Sequence, residues 1–89
     1  MKILKYRLPL EFIFDIQLPK GAKILKIDNQ FNYPTMWILG DPDGELEFRK
    51  FRMYYTGHEV TAGEYLGTVI MSNIDLVLHY FGYKGIKNG

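Results

Sequence analysis

Eighty-nine residues without a cysteine make one domain and exclude disulfides, thiolate metal sites and a cysteine nucleophile. Eleven basic and ten acidic side chains leave a net charge of +1, which argues against a dedicated nucleic-acid binder on average but leaves room for a local patch. With 47% apolar and 16% aromatic residues, rings that each remove roughly 150–250 Å² from water supply the core of so short a chain.

Residues 1–18 mix charged and apolar side chains, whereas a signal peptide shows a continuous apolar run of about 7–15. No window approaches the ~18 apolar residues of a membrane helix. The expectation is a protein of a reducing cytoplasm with no membrane partner.

Alternation, β-branched and aromatic residues dominate, and turn signals recur along the chain, the pattern of a small all-β domain. Residues 3–7 predict a short first strand ended by Pro9. Residues 11–18 form the clearest strand, with Phe12, Phe14, Ile16 and Leu18 facing one way. Pro19, Lys20 and Gly21 make a turn. Residues 23–30 follow, with Leu25 and Ile27 as the inward pair, and residues 35–39 carry the single tryptophan, Trp37. Gly40, Asp41, Pro42, Asp43 and Gly44 combine Asp-Pro with Asp-Gly and predict a hairpin into residues 45–55. That strand changes phase. Leu46 and Phe48 alternate, Arg49 and Lys50 stand side by side, and Phe51, Met53 and Tyr55 resume one register later, which predicts a bulge at Arg49 and Lys50.

Residues 56–63 are polar and form the longest loop. Residues 64–72 are a strand weakened by Gly67, and Asn73, Ile74 and Asp75 turn the chain into residues 76–81. The expected architecture is all-β: six or so short antiparallel strands in a meander, closed as a curled sheet, small barrel or sandwich. One domain spans residues 1–82, and the glycine-rich tail of residues 83–89 frays.

Little of this supports catalysis. Zinc needs three or four ligands, and His58 and His79 are the only histidines. Asp41 and Asp43 lack calcium-loop spacing, and no Ser or Thr has a triad context. The expectation is a non-enzyme without cofactor or metal. His79 shares a strand face with Val77 and Phe81, where packing suffices to explain it. Arg49, Lys50 and Arg52 are the candidate anion site, because an Arg fork grips a phosphate or carboxylate at two points. Tyr54 lies on the face of Arg52 as a stacking ring. Gly57, His58 and Glu59 join the set from a loop, where binding groups concentrate on a rigid scaffold. The plain alternatives are a solvated basic face paired with Glu45 and Glu47, and a turn in which Gly57 only supplies φ > 0.

Four segments together carry a family resemblance: Leu18 to Leu25 (LPKGAKIL), Pro34 to Leu39 (PTMWIL), Thr56 to Val60 (TGHEV) with YLGT at residues 65–68, and the closing LVLHYF of residues 76–81. The chain resembles a family of short phage- and prophage-encoded domains of unknown function. The resemblance implies an accessory protein acting in the cytoplasm of an infected bacterium, and it assigns no residue a role. In that context two functions stand. One is a homo-oligomeric binder that sequesters a small anionic, nucleotide-type host signal to counter host defence. The other is an inhibitor that occludes a host protein through an edge strand or a Tyr-rich face.

Overall fold

The computed structural model describes residues 1–83. Seven strands alternate with tight turns: β1 (Lys2–Arg7), β2 (Ile13–Pro19), β3 (Lys23–Gln30), β4 (Tyr33–Gly40), β5 (Leu46–Tyr55), β6 (Glu64–Met71) and β7 (Leu76–Tyr83). All pairings are antiparallel, so the all-β expectation holds. The strands form two sheets, ordered β1-β4-β3 and β2-β5-β7-β6. They stack as an open sandwich rather than a barrel, and the order departs from a simple meander, since only β3–β4 and β6–β7 are sequential neighbours. β7 continues through Gly82 and Tyr83, which pair with Phe51 and Lys50. The rest of the expected tail, residues 84–89, lies outside the described residues.

The core forms where the two inner faces meet. Met36 and Ile38 of β4 face Phe14, Leu18, Phe51, Met53, Val69, Leu78 and Tyr80 of the larger sheet, all buried. Phe14 and Phe51 stack with centroids 5.4 Å apart, and Tyr80 meets Phe14 edge-on at 6.1 Å. Such pairs add about 0.5–1.5 kcal/mol beyond the area they bury.

The Asp-Pro-Asp-Gly segment turns as its residues require: the Gly44 amide donates to the Asp41 carbonyl at 3.0 Å, and the Asp43 amide to Asp41 Oδ1 at 3.0 Å. It does not close a hairpin. Both edges of β4 are already occupied, by β1 and β3, so β5 crosses to the second sheet and pairs with β2 and β7. Turn chemistry is local and does not choose a strand's partner.

The bulge expected at Arg49 and Lys50 is absent. β5 pairs without interruption from Leu46 opposite Pro19 to Arg52 opposite Ile13. The phase change lies in the side chains. Glu47 and Arg49 share the inward face with Phe51 and Met53, while Leu46 and Phe48 point outward, 52% and 70% exposed. Two inward polar groups are tolerated because they sit at the rim and find partners: Arg49 Nη1 donates to the Ala22 carbonyl at 2.7 Å, and Glu47 Oε2 accepts from the Gly21 amide at 3.1 Å.

The real irregularities fall elsewhere. In β3 the register shifts between Ile24 and Lys26, and in β6 between Tyr65 and Gly67. The first makes Leu25 the extra residue, exposed, and sets Ile24 opposite Ile38 and Ile27 opposite Met36. The inward pair is therefore Ile24 and Ile27, not Leu25 and Ile27. Leu25→Ser is accordingly expected to stay within about 0.5 kcal/mol of the parent in urea unfolding, while Ile27→Ala costs about 2–4 kcal/mol. Equal costs would mean that Leu25 packs inward after all.

Candidate functional site

At one end of the sandwich the strands leave a cleft of about 600 Å³. Its position follows from topology. β5 and β6 both run antiparallel to β7 and flank it, so residues 56–63 must carry the chain from the level of Leu78 back to that of Gly82. Ala62 and Gly63 end this return beside Gly82 and Tyr83 of β7. Gly63 is required there, since its φ is +118° and a Cβ would lie 2.8 Å from the Gly82 carbonyl oxygen. Ile24 from the facing sheet and Leu66 at the β6 bulge supply apolar lining, and Arg49, Lys50 and Glu64 supply charge.

The two cations of the cleft are held differently. The guanidinium of Arg49 is half-buried and anchored through Nη1 on Ala22. An arginine has five N–H donors, so this bond orients the fork without exhausting it. Lys50 is exposed and its Nζ stands 3.6 Å from Asp15 Oδ1, both groups about half in water. A pair so placed is worth little and yields readily to a better anion.

Arg52 and Tyr54 lie on the outer face of the larger sheet, as their alternation with Lys50 requires. Arg52 stacks over the ring of Tyr83, 4.3 Å from its centroid, and so touches a residue lining the cleft from outside. Tyr54 packs edge-on to Phe81 at 5.4 Å. Arg52 Nε and the Tyr54 hydroxyl are buried without a hydrogen-bond partner among the described residues.

The Gly57–His58–Glu59 group is not brought to this place. It sits at the far end of β5, where the His58 amide donates to the Tyr55 carbonyl at 3.1 Å and His58 Nδ1 accepts from the Tyr55 amide at 3.2 Å. The imidazole also packs against Phe12 and Tyr55. His58 thus closes the turn after β5. Gly57 has φ +98° with nothing near its missing Cβ, and Glu59 is exposed. The loop reaches the cleft through its other end, Ala62 and Gly63, which sequence reasoning passed over. Two glycines, Gly63 and Gly82, were the available signal, but nothing local says that they meet.

His79 is tied on both ring nitrogens, to Thr56 Oγ1 and Thr68 Oγ1 at 2.9 Å each, and Thr68 is 2.6 Å from the Tyr65 hydroxyl. This network fastens the start of the 56–63 loop to β7 and β6. Among the described residues no three His, Asp or Glu side chains gather as a metal set, and no helix is long and apolar enough to cross a membrane.

The chain is thus an open antiparallel β-sandwich with a cation-walled cleft at the end where the β5–β6 crossover returns. It belongs to a family described as a domain of unknown function, DUF7352, whose family model matches residues 1–88. No curated protein and no solved structure matches it.

Proposed function

We propose that the protein acts by binding rather than catalysis, and that it captures a small anionic molecule of the nucleotide type in the cleft. The carrying observation is the cleft of about 600 Å³ with the Arg49 fork fixed in its wall. Ligand pockets run to roughly 300–1,000 Å³ and combine apolar walls with a few placed polar groups. Arg49 meets the phosphate from the inner face, and Lys50, Phe48 and Tyr83, which point to the outer face, border the mouth of the cleft and add positive charge and ring surface there. In the phage-infected cytoplasm that the resemblance implies, such capture withdraws a host defence signal.

The test is thermal unfolding against a panel of ATP, cyclic dinucleotides and NAD-derived nucleotides. A ligand at about 100 times its Kd adds ~2.7 kcal/mol, a rise on the order of 10–20 °C for a domain of this size. Lys50→Glu is expected to abolish the shift and His58→Ala to preserve it, because His58 stands at the opposite end of β5. A flat panel, or equal losses in both variants, overturns the proposal and turns attention to occlusion of a host protein.

A further inference from the structure

The outer face of the three-stranded sheet concentrates charge that the whole chain lacks. β1 sends Ile3, Lys5 and Arg7 to this face, and β4 sends Tyr33, Trp37 and Leu39. β3, once the extra residue Leu25 has reset its phase, sends Lys23, Lys26 and Asp28. Four cations thus share the face with one carboxylate, a local +3. Against the 11 basic and 10 acidic residues of the whole sequence, a net +1, this face is distinctly cationic.

Aromatic rings are interleaved with these cations. Lys5 and Lys26 are the direct cross-strand neighbours of Trp37, one on each side. The guanidinium of Arg7 lies 3.9 Å over the centroid of Tyr33 and occupies that face of the ring, while the tyrosine as a whole stays 47% exposed. Lys26 Nζ is 3.3 Å from Asp28 Oδ2 and Lys5 Nζ donates to Gln30 Oε1 at 2.9 Å, contacts at the surface that an incoming anion can displace.

Phe31 is an independent sign. It and Asn32 form the two-residue turn between β3 and β4, with φ of +51° and +66°. Such a turn selects Asn, Asp or Gly, and a bulky side chain at positive φ is an outlier. The Phe31 ring is also 83% exposed. Neither backbone preference nor burial accounts for a phenylalanine there, whereas a contact with something outside the chain does.

We infer that this face and the hairpin tip form a platform for single-stranded nucleic acid. Lys5, Arg7, Lys23 and Lys26 take phosphates, and Phe31 and Tyr33 take bases, in the combination of cationic track and stacking ring that holds single strands without sequence preference. A lipid surface is a separate outcome, distinguished by comparing the oligonucleotide with anionic vesicles. The platform lies on the other sheet from the charged wall of the cleft and does not depend on a ligand there.

The test follows the anisotropy of a labelled oligothymidylate of about 15 nucleotides, a length matched to known single-strand site sizes. Quenching of Trp37, the sole tryptophan, reports the same event from the protein side. Phe31→Asn is expected to weaken binding about tenfold, the loss of one stacked base, while raising the melting temperature by relieving the turn. Each phosphate contact contributes about −0.7 to the log–log salt slope. Four contacts therefore weaken binding roughly fiftyfold for a fourfold rise in salt, and Lys23→Glu flattens that slope. Absence of binding at low salt, binding indifferent to salt, parent-like affinity in folded Phe31→Asn, or binding confined to phosphatidylserine vesicles each overturns the inference.

Discussion

Gly67→Ala is expected to lower stability by about 2 kcal/mol, within the range for overpacking a filled core, and the melting temperature by roughly 8–16 °C. The sheets come closest where β3 meets β6. A Cβ on Gly67 would lie 2.9 Å from the Cβ of Ile27 and 3.1 Å from its carbonyl oxygen. Neither atom is the tip of a flexible side chain, so the two sheets must separate to admit a single methyl. The hydrogen bond from Asn29 Nδ2 to the Ile70 carbonyl, 3.1 Å long, spans the same seam and is strained by that separation. Gly82→Ala is the control. Its added Cβ meets only the Leu66 side chain, at 3.5 Å, an ordinary contact. Thermal unfolding of both variants decides the matter: a Gly67→Ala protein that melts with Gly82→Ala removes the close approach as the reason for glycine in mid-strand.

The second large effect is expected in alkaline solution and comes from Tyr80. Its side chain is fully buried, and its hydroxyl donates to the Pro9 carbonyl at 3.2 Å, tying β7 to the β1–β2 connection. Burial pushes its ionisation well above the ordinary value of 10.0, and neighbouring Tyr55 adds to the rise. The unfolded chain therefore loses this proton before the folded one does. The stabilising contribution is complete below about pH 10 and declines as pH rises beyond it, with a slope of up to about 1.4 kcal/mol per pH unit. Tyr80→Phe is expected to cost about 1 kcal/mol at neutral pH, through the lost hydrogen bond. The same variant should shed this alkaline decline, so that the gap between parent and variant narrows from pH 9 to pH 11. Urea unfolding at those two pH values measures it, and a gap that stays constant would mean that Tyr80 does not carry the alkaline loss.

Much of the fold is legible in the residues because strand formation and turning are local. Phe14, Ile16 and Leu18 alternate and do point inward. Residues 56–63 are the longest connection among the described residues, and the Asp41–Gly44 turn closes as its side chains require. Local pattern fails where an outcome depends on distant segments. Arg49 mimics a slip of register because it puts a charge on the same inward face as Phe51 and Met53. At the rim an inward arginine is satisfied by the Ala22 carbonyl, 27 residues earlier in the chain.

The candidate site divides the same way. Arg49 and Lys50 are legible in the sequence as a basic pair and lie at the cleft, whereas loop character alone does not say that Gly57, His58 and Glu59 stand apart from it. The crossover over β7 carries that end of the loop away and delivers Ala62 and Gly63 instead.

By itself the sequence determined the class of structure: antiparallel strands, their approximate bounds, the turns and the aromatic core. Each of these depends on side-chain alternation or backbone preference within a few residues. Only the tertiary structure decided which strands pair, where the bulges fall and which charges share a face. Those outcomes depend on which edges are already occupied and on how closely two sheets can approach, and such constraints exist only once distant segments of the chain have met.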